Sequence, residues 1–207
     1  MLQYITNTSS PVPIVEQIKR VVKGGCKWIQ IRMKDASDEE ISRVVDEIKP
    51  LCIENEVFLI LDDRVELAKS TDVGGVHLGK NDMLPSKARL LLGPAAVIGV
   101  TANTIDDIMA VHTLDIDYLG VGPFRYTTTK ENLSPTLGIE GIKEISSKMR
   151  ALNIELPFVA VGGITKDDLI PLLKAGCNGV AVSGAIAFAE DITQETESFI
   201  KILKSYK

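Results

Sequence analysis

The chain reads as an α/β protein, a single (β/α)8 TIM barrel spanning residues 1–207. Three observations predict this. Eight short apolar runs, rich in β-branched residues, recur along the chain. Their near-continuous apolar character suits parallel strands buried on both faces. Segments with helical periodicity lie between them. A doubly wound open sheet is the main rival architecture. No linker or low-complexity stretch interrupts the rhythm.

The elements follow in order. The first strand is LQYIT from Leu2, followed by helical IVEQIKRVVK from Ile14, with Gly24 and Gly25 as a stop. WIQI after Lys27 is the second strand. Its helix starts at Asp38, with Ser37 as N-cap ahead of three acids that suit the helix dipole. FLIL after Val57 leads into VELAKS from Val65, which Gly74 and Gly75 close. GVHL from Gly75 is the fourth strand and AVIGV from Ala96 the fifth, with a helix from Thr104. DYLGVG from Asp117 precedes a helix from Gly138. FVAVG from Phe158 precedes a helix capped by Thr165 and stopped at Gly176. GVAVS from Gly179 is the eighth strand, and a last helix runs from Glu195 to Ser205.

Composition bounds the function. The chain is 45% hydrophobic and 25% charged, with a net charge of −5. This profile is ordinary for a soluble globular protein and gives no general reason to expect nucleic acid or an anionic membrane as partner. Cys26, Cys52 and Cys177 have no metal-type spacing and fit buried thiols in a reducing cytosol. The start lacks signal-peptide character and no apolar run is long enough to span a bilayer, so a cytoplasmic location is expected.

Gln30, Arg32 and Lys34 alternate at the end of the second strand. Alternate strand residues share a face, so an amide, a guanidinium and an ammonium converge there. Unpaired buried charge is costly, which points to an anionic ligand such as phosphate. A strand end fraying into a polar loop is the other reading. Polar residues also gather at the other strand ends, where barrels place function. They include Asp62, Asp63, Lys80, Asp82, Thr101, Gly163 and Ser183. Asp63 and Asp82 end adjacent strands and suit a hydrated Mg²⁺ that also takes phosphate oxygens. A cap or a surface ion pair is the plainer reading of each. The glycines after the last two strands suit phosphate or simply tight turns. The long loop from Phe124 to Gly138 carries Thr127, Thr129 and Lys130 and suits a lid. His77 and His112 read as structural, and Trp28 and Phe58 as core.

Seven motifs recur in order at these strand ends: QIRMKD from Gln30, DDRVELA from Asp62, GVHLGKND from Gly75, GVTANT from Gly99, GP with TTTK from Gly122, VAVGGI from Val159 and GVAVSGAI from Gly179. With them the chain resembles the thiamine phosphate synthase family over almost its full length. The resemblance implies a Mg²⁺-assisted transferase. It would join a hydroxymethylpyrimidine diphosphate to a phosphorylated methylthiazole, or its carboxylated form, by a dissociative substitution that releases pyrophosphate.

Carried over by position, Gln30 would touch the pyrimidine. Arg32, Lys34, Thr101 and Lys130 would hold the pyrophosphate, and Asp63 and Asp82 the metal. Thr127, Thr129, Gly163, Val182 and Ser183 would hold the thiazole phosphate. Asp62 stands where the family usually has Asn, and Lys80 where it often has Gln. Both are expected near the substrates, either paired with each other or on the metal–diphosphate. Thr101 and Tyr126 also depart from the commoner Ser and Pro.

Three alternatives stay in view. A thiazole tautomerase of the same fold has a histidine soon after the fifth strand, where this chain has Asn103. Another phosphate-binding barrel enzyme would share the glycine-rich end. A non-catalytic ligand-binding protein would not need the charged set intact. The partners expected are small molecules, and assembly into a homo-oligomer is left open.

Overall fold

The computed structural model describes residues 1–126 and 135–206. Eight parallel strands close into a barrel in chain order. They are β1 (Leu2–Ile5), β2 (Trp28–Ile31), β3 (Phe58–Asp62), β4 (Gly75–Leu78), β5 (Val97–Ala102), β6 (Tyr118–Val121), β7 (Phe158–Val161) and β8 (Gly179–Val182). The ring is sealed where Tyr4 of β1 lies opposite Val182 of β8. The helices are α1 (Ile14–Lys23), α2 (Asp38–Glu54), α3 (Val65–Thr71), α4 (Pro85–Leu92), α5 (Ile105–Val111), α6 (Gly138–Ala151), α7 (Leu169–Lys174), α8 (Gly184–Ala187) and α9 (Ile192–Ser205).

Every strand expected from the sequence is present. Two helices are additions. α4 buries only Pro85 and Ala88, while Leu84 just before it and Leu90 within it face solvent, so no apolar stripe announces it. α8 is a single turn after β8.

Caps explain several boundaries. Ser37 accepts the backbone N–H of Glu40 at 3.2 Å, and the Glu40 carboxylate returns to the Ser37 N–H at 2.8 Å. Asp168 accepts from the Thr165 N–H and hydroxyl at 2.8 and 2.9 Å. The expected glycine stop after α3 is corrected. Asp72, at φ 51°, makes the left-handed turn, and Asp tolerates that region better than most residues. Gly74 is required for space instead, since a Cβ there would lie 2.5 Å from the Phe58 ring.

Two cores divide along the strand alternation. Residues facing outward pack under the helices in one large cluster. Facing inward, Ile60, Tyr118, Val159 and Ala181 form a smaller cluster with Ile5, Trp28, Val97 and Val161 against it. Trp28 meets Tyr118 edge-on, ring centres 4.7 Å apart, and with it closes the barrel floor. Phe58, expected in the core, is 36% exposed at the lower rim of β3. The three cysteines are buried and free. Burial pushes their thiols up to about 11, 11 and 12 for Cys26, Cys52 and Cys177, which makes them inert.

Small residues make room inside the ring. A Cβ on Gly99 would overlap the ring of Tyr118, which Gln3 and His77 hold by hydrogen bonds at 3.1 and 2.9 Å. Gly99→Ala is therefore expected to destabilise by about 3 kcal/mol, the upper end of the overpacking range. In a chain of this size that lowers Tm by about 6–12 °C, which differential scanning calorimetry checks.

Candidate active site

A cavity of about 380 Å³ opens at the carboxyl ends of the strands. Its walls are built from the strand ends themselves, as expected for a barrel.

The β2–β4 wall is charged. Gln30 points inward from β2, level with Ile60 of β3, and is 2% exposed. Its Nε2 donates to Asp62 Oδ1 at 2.6 Å. Asp62 Oδ2 lies 3.4 Å from Arg32 Nε and 3.2 Å from Lys34 Nζ. Lys34 also pairs with Asp63. Burial alone would lower the Lys34 ammonium, but Asp62 and Asp63 outweigh it and hold it above its ordinary value.

Consecutive residues of a strand point to opposite faces, yet both Asp62 and Asp63 line the cavity. Asp63 adopts φ 64°, a left-handed conformation that turns the chain at the end of β3. Its N–H donates to His77 O at 2.9 Å, which ties that turn to β4.

Asp82 reaches the same place from the loop after β4. The Gly79 N–H donates to Asp82 Oδ2 at 2.6 Å. Burial and a hydrogen bond with Asp63 raise Asp82 above the usual carboxylate range, against the lowering effects of Gly79 and Lys34. Two carboxylates in contact, one resisting ionisation, form a place where a divalent cation would relieve the repulsion.

A polar relay runs beneath. Gln3 Nε2 donates to the Tyr118 hydroxyl at 3.1 Å. His77 Nδ1 lies 2.9 Å from that hydroxyl, and His77 Nε2 lies 3.0 Å from Thr101 Oγ1. Burial pushes the Tyr118 phenol well above its ordinary value, so it stays neutral. The relay sets the rotamer of Thr101 on β5. A Cβ on Gly120 would come within 2.8 Å of the His77 ring, so β6 leaves space for it. Asn103, just past Thr101 and also on the cavity wall, donates to Gly122 O.

The β7–β8 wall is mostly backbone. Gly162 and Gly163 have φ of 103° and 63°, which other residues adopt only with strain. A Cβ on Gly163 would also lie 2.9 Å from Tyr126 O. Arg125 fastens this turn, donating to Gly163 O at 2.6 Å and to both Asp168 oxygens at 2.9 and 2.8 Å. Ser183 Oγ accepts from Asn7 Nδ2 at 3.1 Å. Asn7 is itself held by buried Gln17, which accepts its N–H at 3.0 Å and donates to its carbonyl at 2.8 Å. Val182 and Ser183 both line the cavity.

The structure thus brings together Gln30, Arg32, Lys34, Asp62, Asp63, Asp82, Thr101, Gly163, Val182 and Ser183 around one cavity. Lys80 is the exception. It pairs with Asp107 at the start of α5, at 2.7 Å, and not with Asp62. Asp107 is a ready partner because it already caps α5 through the Thr104 N–H at 2.9 Å. Asp62 finds its cations on β2. Thr127, Thr129 and Lys130 lie outside the described residues.

Several residues of the site were not singled out from sequence. Gln3 obeys the same alternation that marks Gln30, standing two residues before Ile5 on the inner face, so that signal was available. His77, read as structural, does line the cavity, from the β4 position opposite Asp62. Asn7 and Arg125 act through contacts far along the chain, which local pattern does not reveal.

Comparison with known proteins places these features. The family model described as thiamine monophosphate synthase matches residues 2–186. The thiamine-phosphate synthase of Bacteroides thetaiotaomicron is 51% identical over 206 residues, covering 100% of this chain and 99% of the relative. That of Bacteroides fragilis is 50% identical over 201 residues, covering 97% and 98%. Among solved structures, thiamine phosphate pyrophosphorylase from Pyrococcus furiosus superposes with a TM-score of 0.87 at 31% identity, covering 99% of this chain and 95% of that one.

Proposed function

The chain belongs to the thiamine monophosphate synthase family, and from that premise we propose how the mouth of its barrel performs the family's reaction. The activity is that of a transferase in thiamine biosynthesis. A pyrimidine diphosphate and a thiazole phosphate combine to give thiamine phosphate and pyrophosphate.

We assign the charged wall to the diphosphate and the glycine-rich wall to the monophosphate. The observation that carries this is the Arg32–Lys34–Asp62–Asp63–Asp82 group gathered on one side of the cavity, opposite Gly162, Gly163 and Ser183. In a dissociative substitution the bond from the pyrimidine methylene to the diphosphate oxygen breaks first. Negative charge grows on the leaving group. Arg32, Lys34 and Thr101 face that charge, with two cations fixed in advance on a half-buried wall, and Lys130 would join them. The thiazole nitrogen then donates its electron pair to the pyrimidine methylene cation. Gln30 orients the pyrimidine, and the apolar floor of Ile5, Val159 and Ala181 keeps water from the cation.

Asp63 and Asp82 would hold Mg²⁺. Among the described residues no cluster of three or more His, Cys, Asp or Glu side chains forms a metal cage. Mg²⁺ is held by one or two carboxylates plus waters and substrate phosphates, and the Asp63–Asp82 pair supplies two carboxylates. When bound, the ion would supply charge neutralisation to the diphosphate. Asp62 flanks the diphosphate side, whereas Lys80 is held by Asp107 instead. Thr127, Thr129 and the backbone of Gly163, Val182 and Ser183 would receive the thiazole phosphate. We further propose one domain over residues 1–207, a cytoplasmic location, and small molecules rather than nucleic acid or membrane as partners. No helix among the described residues is long and apolar enough to cross a membrane.

The test is pyrophosphate release by the purified protein given both substrates and Mg²⁺. Release that needs both substrates and the metal supports the assignment, and absence of metal-dependent product overturns it. Lys130→Ala is expected to raise KM for the pyrimidine diphosphate about 10- to 100-fold, the loss of one charge-assisted contact. Steady-state kinetics check this, and unchanged KM removes Lys130 from the clamp.

A further inference from the structure

Arg125 grips the glycine-rich wall from outside. The segment leaving β6 runs along the end of β7, with the Phe124 N–H donating to Val161 O at 2.8 Å and the Arg125 N–H to Gly162 O at 3.0 Å. The Arg125 guanidinium then donates to Gly163 O at 2.6 Å and, through two nitrogens, to both Asp168 oxygens. Such a two-pronged contact fixes orientation as well as distance. The guanidinium also lies over the Phe124 ring, 5.0 Å from its centre. Asp168 is 12% exposed and is held in turn by the Thr165 N–H and hydroxyl.

These bonds decide which way one peptide group faces. Gly163 lines the cavity, whereas Arg125 does not. A Gly163 carbonyl that accepts from Arg125 is therefore turned away from the cavity. The Gly163–Ile164 peptide is trans. Its N–H is antiparallel to its C=O across the planar unit, so the Ile164 N–H is turned toward the cavity, which Ile164 also lines. Gly163 lacks a Cβ and sits at φ 63°, so the peptide has a rotational freedom that the guanidinium removes. In the reversed orientation a carbonyl oxygen would face a bound anion.

We propose that Arg125, seated on Asp168, is a positioning residue that turns the Gly163–Ile164 peptide so that an amide donor, and not a carbonyl, faces the phosphate of the thiazole substrate. The inference rests on the assignment of the glycine-rich wall to that monophosphate. It adds a residue that acts on the phosphate without touching it. The Arg125 cation is already matched by Asp168, so its effect is on conformation and not through its charge.

The experiment separates this role from charge attraction. Titration calorimetry gives Kd for the thiazole phosphate, for the unphosphorylated thiazole alcohol and for inorganic pyrophosphate, in the unaltered protein and two variants. Arg125→Lys keeps the charge and loses the fork. Asp168→Asn keeps an oxygen for the Thr165 N–H, turns an amino group toward Arg125 and removes a negative charge from the wall. Both variants are expected to bind the thiazole phosphate about 10- to 100-fold more weakly, the effect of one charge-assisted hydrogen bond. Affinities for the alcohol and for pyrophosphate should hold. The double variant should be no weaker than either single one, because the two residues act as a unit. Charge attraction predicts the opposite, with affinity kept in Arg125→Lys and raised in Asp168→Asn. Either of those results overturns the proposal and leaves the assignment of the wall intact. Loss of the alcohol and pyrophosphate along with the phosphate also contradicts a role confined to one peptide group. Equal affinity for phosphate and alcohol in the unaltered protein overturns the assignment of the wall, and the proposal with it.

Discussion

Asp82→Asn is expected to lower kcat about 10²- to 10³-fold, the range seen when one preorganised electrostatic contact is lost. It is also expected to leave the metal-free protein at least as stable as before. Both outcomes follow from the contact with Asp63. Burial and that neighbour raise the Asp82 carboxyl above its unfolded value of 3.8. The sign follows from proton linkage. Between 3.8 and the raised folded value the native state binds more protons than the unfolded state, so stability falls as pH rises through that window. Above it, the ionised carboxylate imposes its full cost on the fold. The asparagine removes this cost while retaining an oxygen for the Gly79 N–H. It also removes a ligand for the cation. Mg²⁺ should therefore raise the Tm of the unaltered protein and not that of the variant. Thermal melts with and without the ion, beside turnover measurements, check both halves. Full activity in Asp82→Asn would take Asp82 out of the metal site.

Lys34→Met is the second large effect. The ammonium sits between Asp62 and Asp63 and lines the cavity, on the wall proposed for the diphosphate. Methionine keeps the aliphatic stem and deletes the charge. The two aspartates then lose their shared counter-ion, and the leaving group loses a cation where its negative charge grows. Turnover is expected to drop about 10²- to 10³-fold. Product inhibition by pyrophosphate should weaken in parallel, because ground state and transition state share part of this contact. Inhibition constants alongside kcat separate the two. A variant that loses affinity for pyrophosphate but keeps kcat would make Lys34 a binding residue only.

The barrel was legible because each of its parts is local. A parallel strand buried on both faces is a short apolar run, and eight such runs separated by periodic segments fit few architectures. α4 was missed because its exposed leucines blur the stripe. Within the site, alternation along β2 placed Gln30 and Arg32 correctly, since a strand fixes which residues share a face. The pairings were harder to read. That Asp62 and Asp63 both reach the cavity depends on the left-handed turn at Asp63, which neighbouring residues do not encode clearly. Lys80 was expected near Asp62 on grounds of charge balance, but Asp107 offers a carboxylate already oriented by the cap of α5. Arg125 and Asp168 meet across two loops that only the closed ring brings together. Distances within an element can be read from the order of residues, whereas contacts between elements wait for the fold.

On the assignment proposed above, the barrel mouth divides into a metal–diphosphate wall at β2–β4 and a monophosphate wall at β7–β8. A crystal structure with thiamine phosphate, pyrophosphate and Mg²⁺ tests it most directly. The expected result is the ion on Asp63 and Asp82, pyrophosphate against Arg32 and Lys34, and the product phosphate on the backbone of Gly163 and Ser183. Pyrophosphate on the glycine-rich wall, or an ion held away from both aspartates, would contradict it.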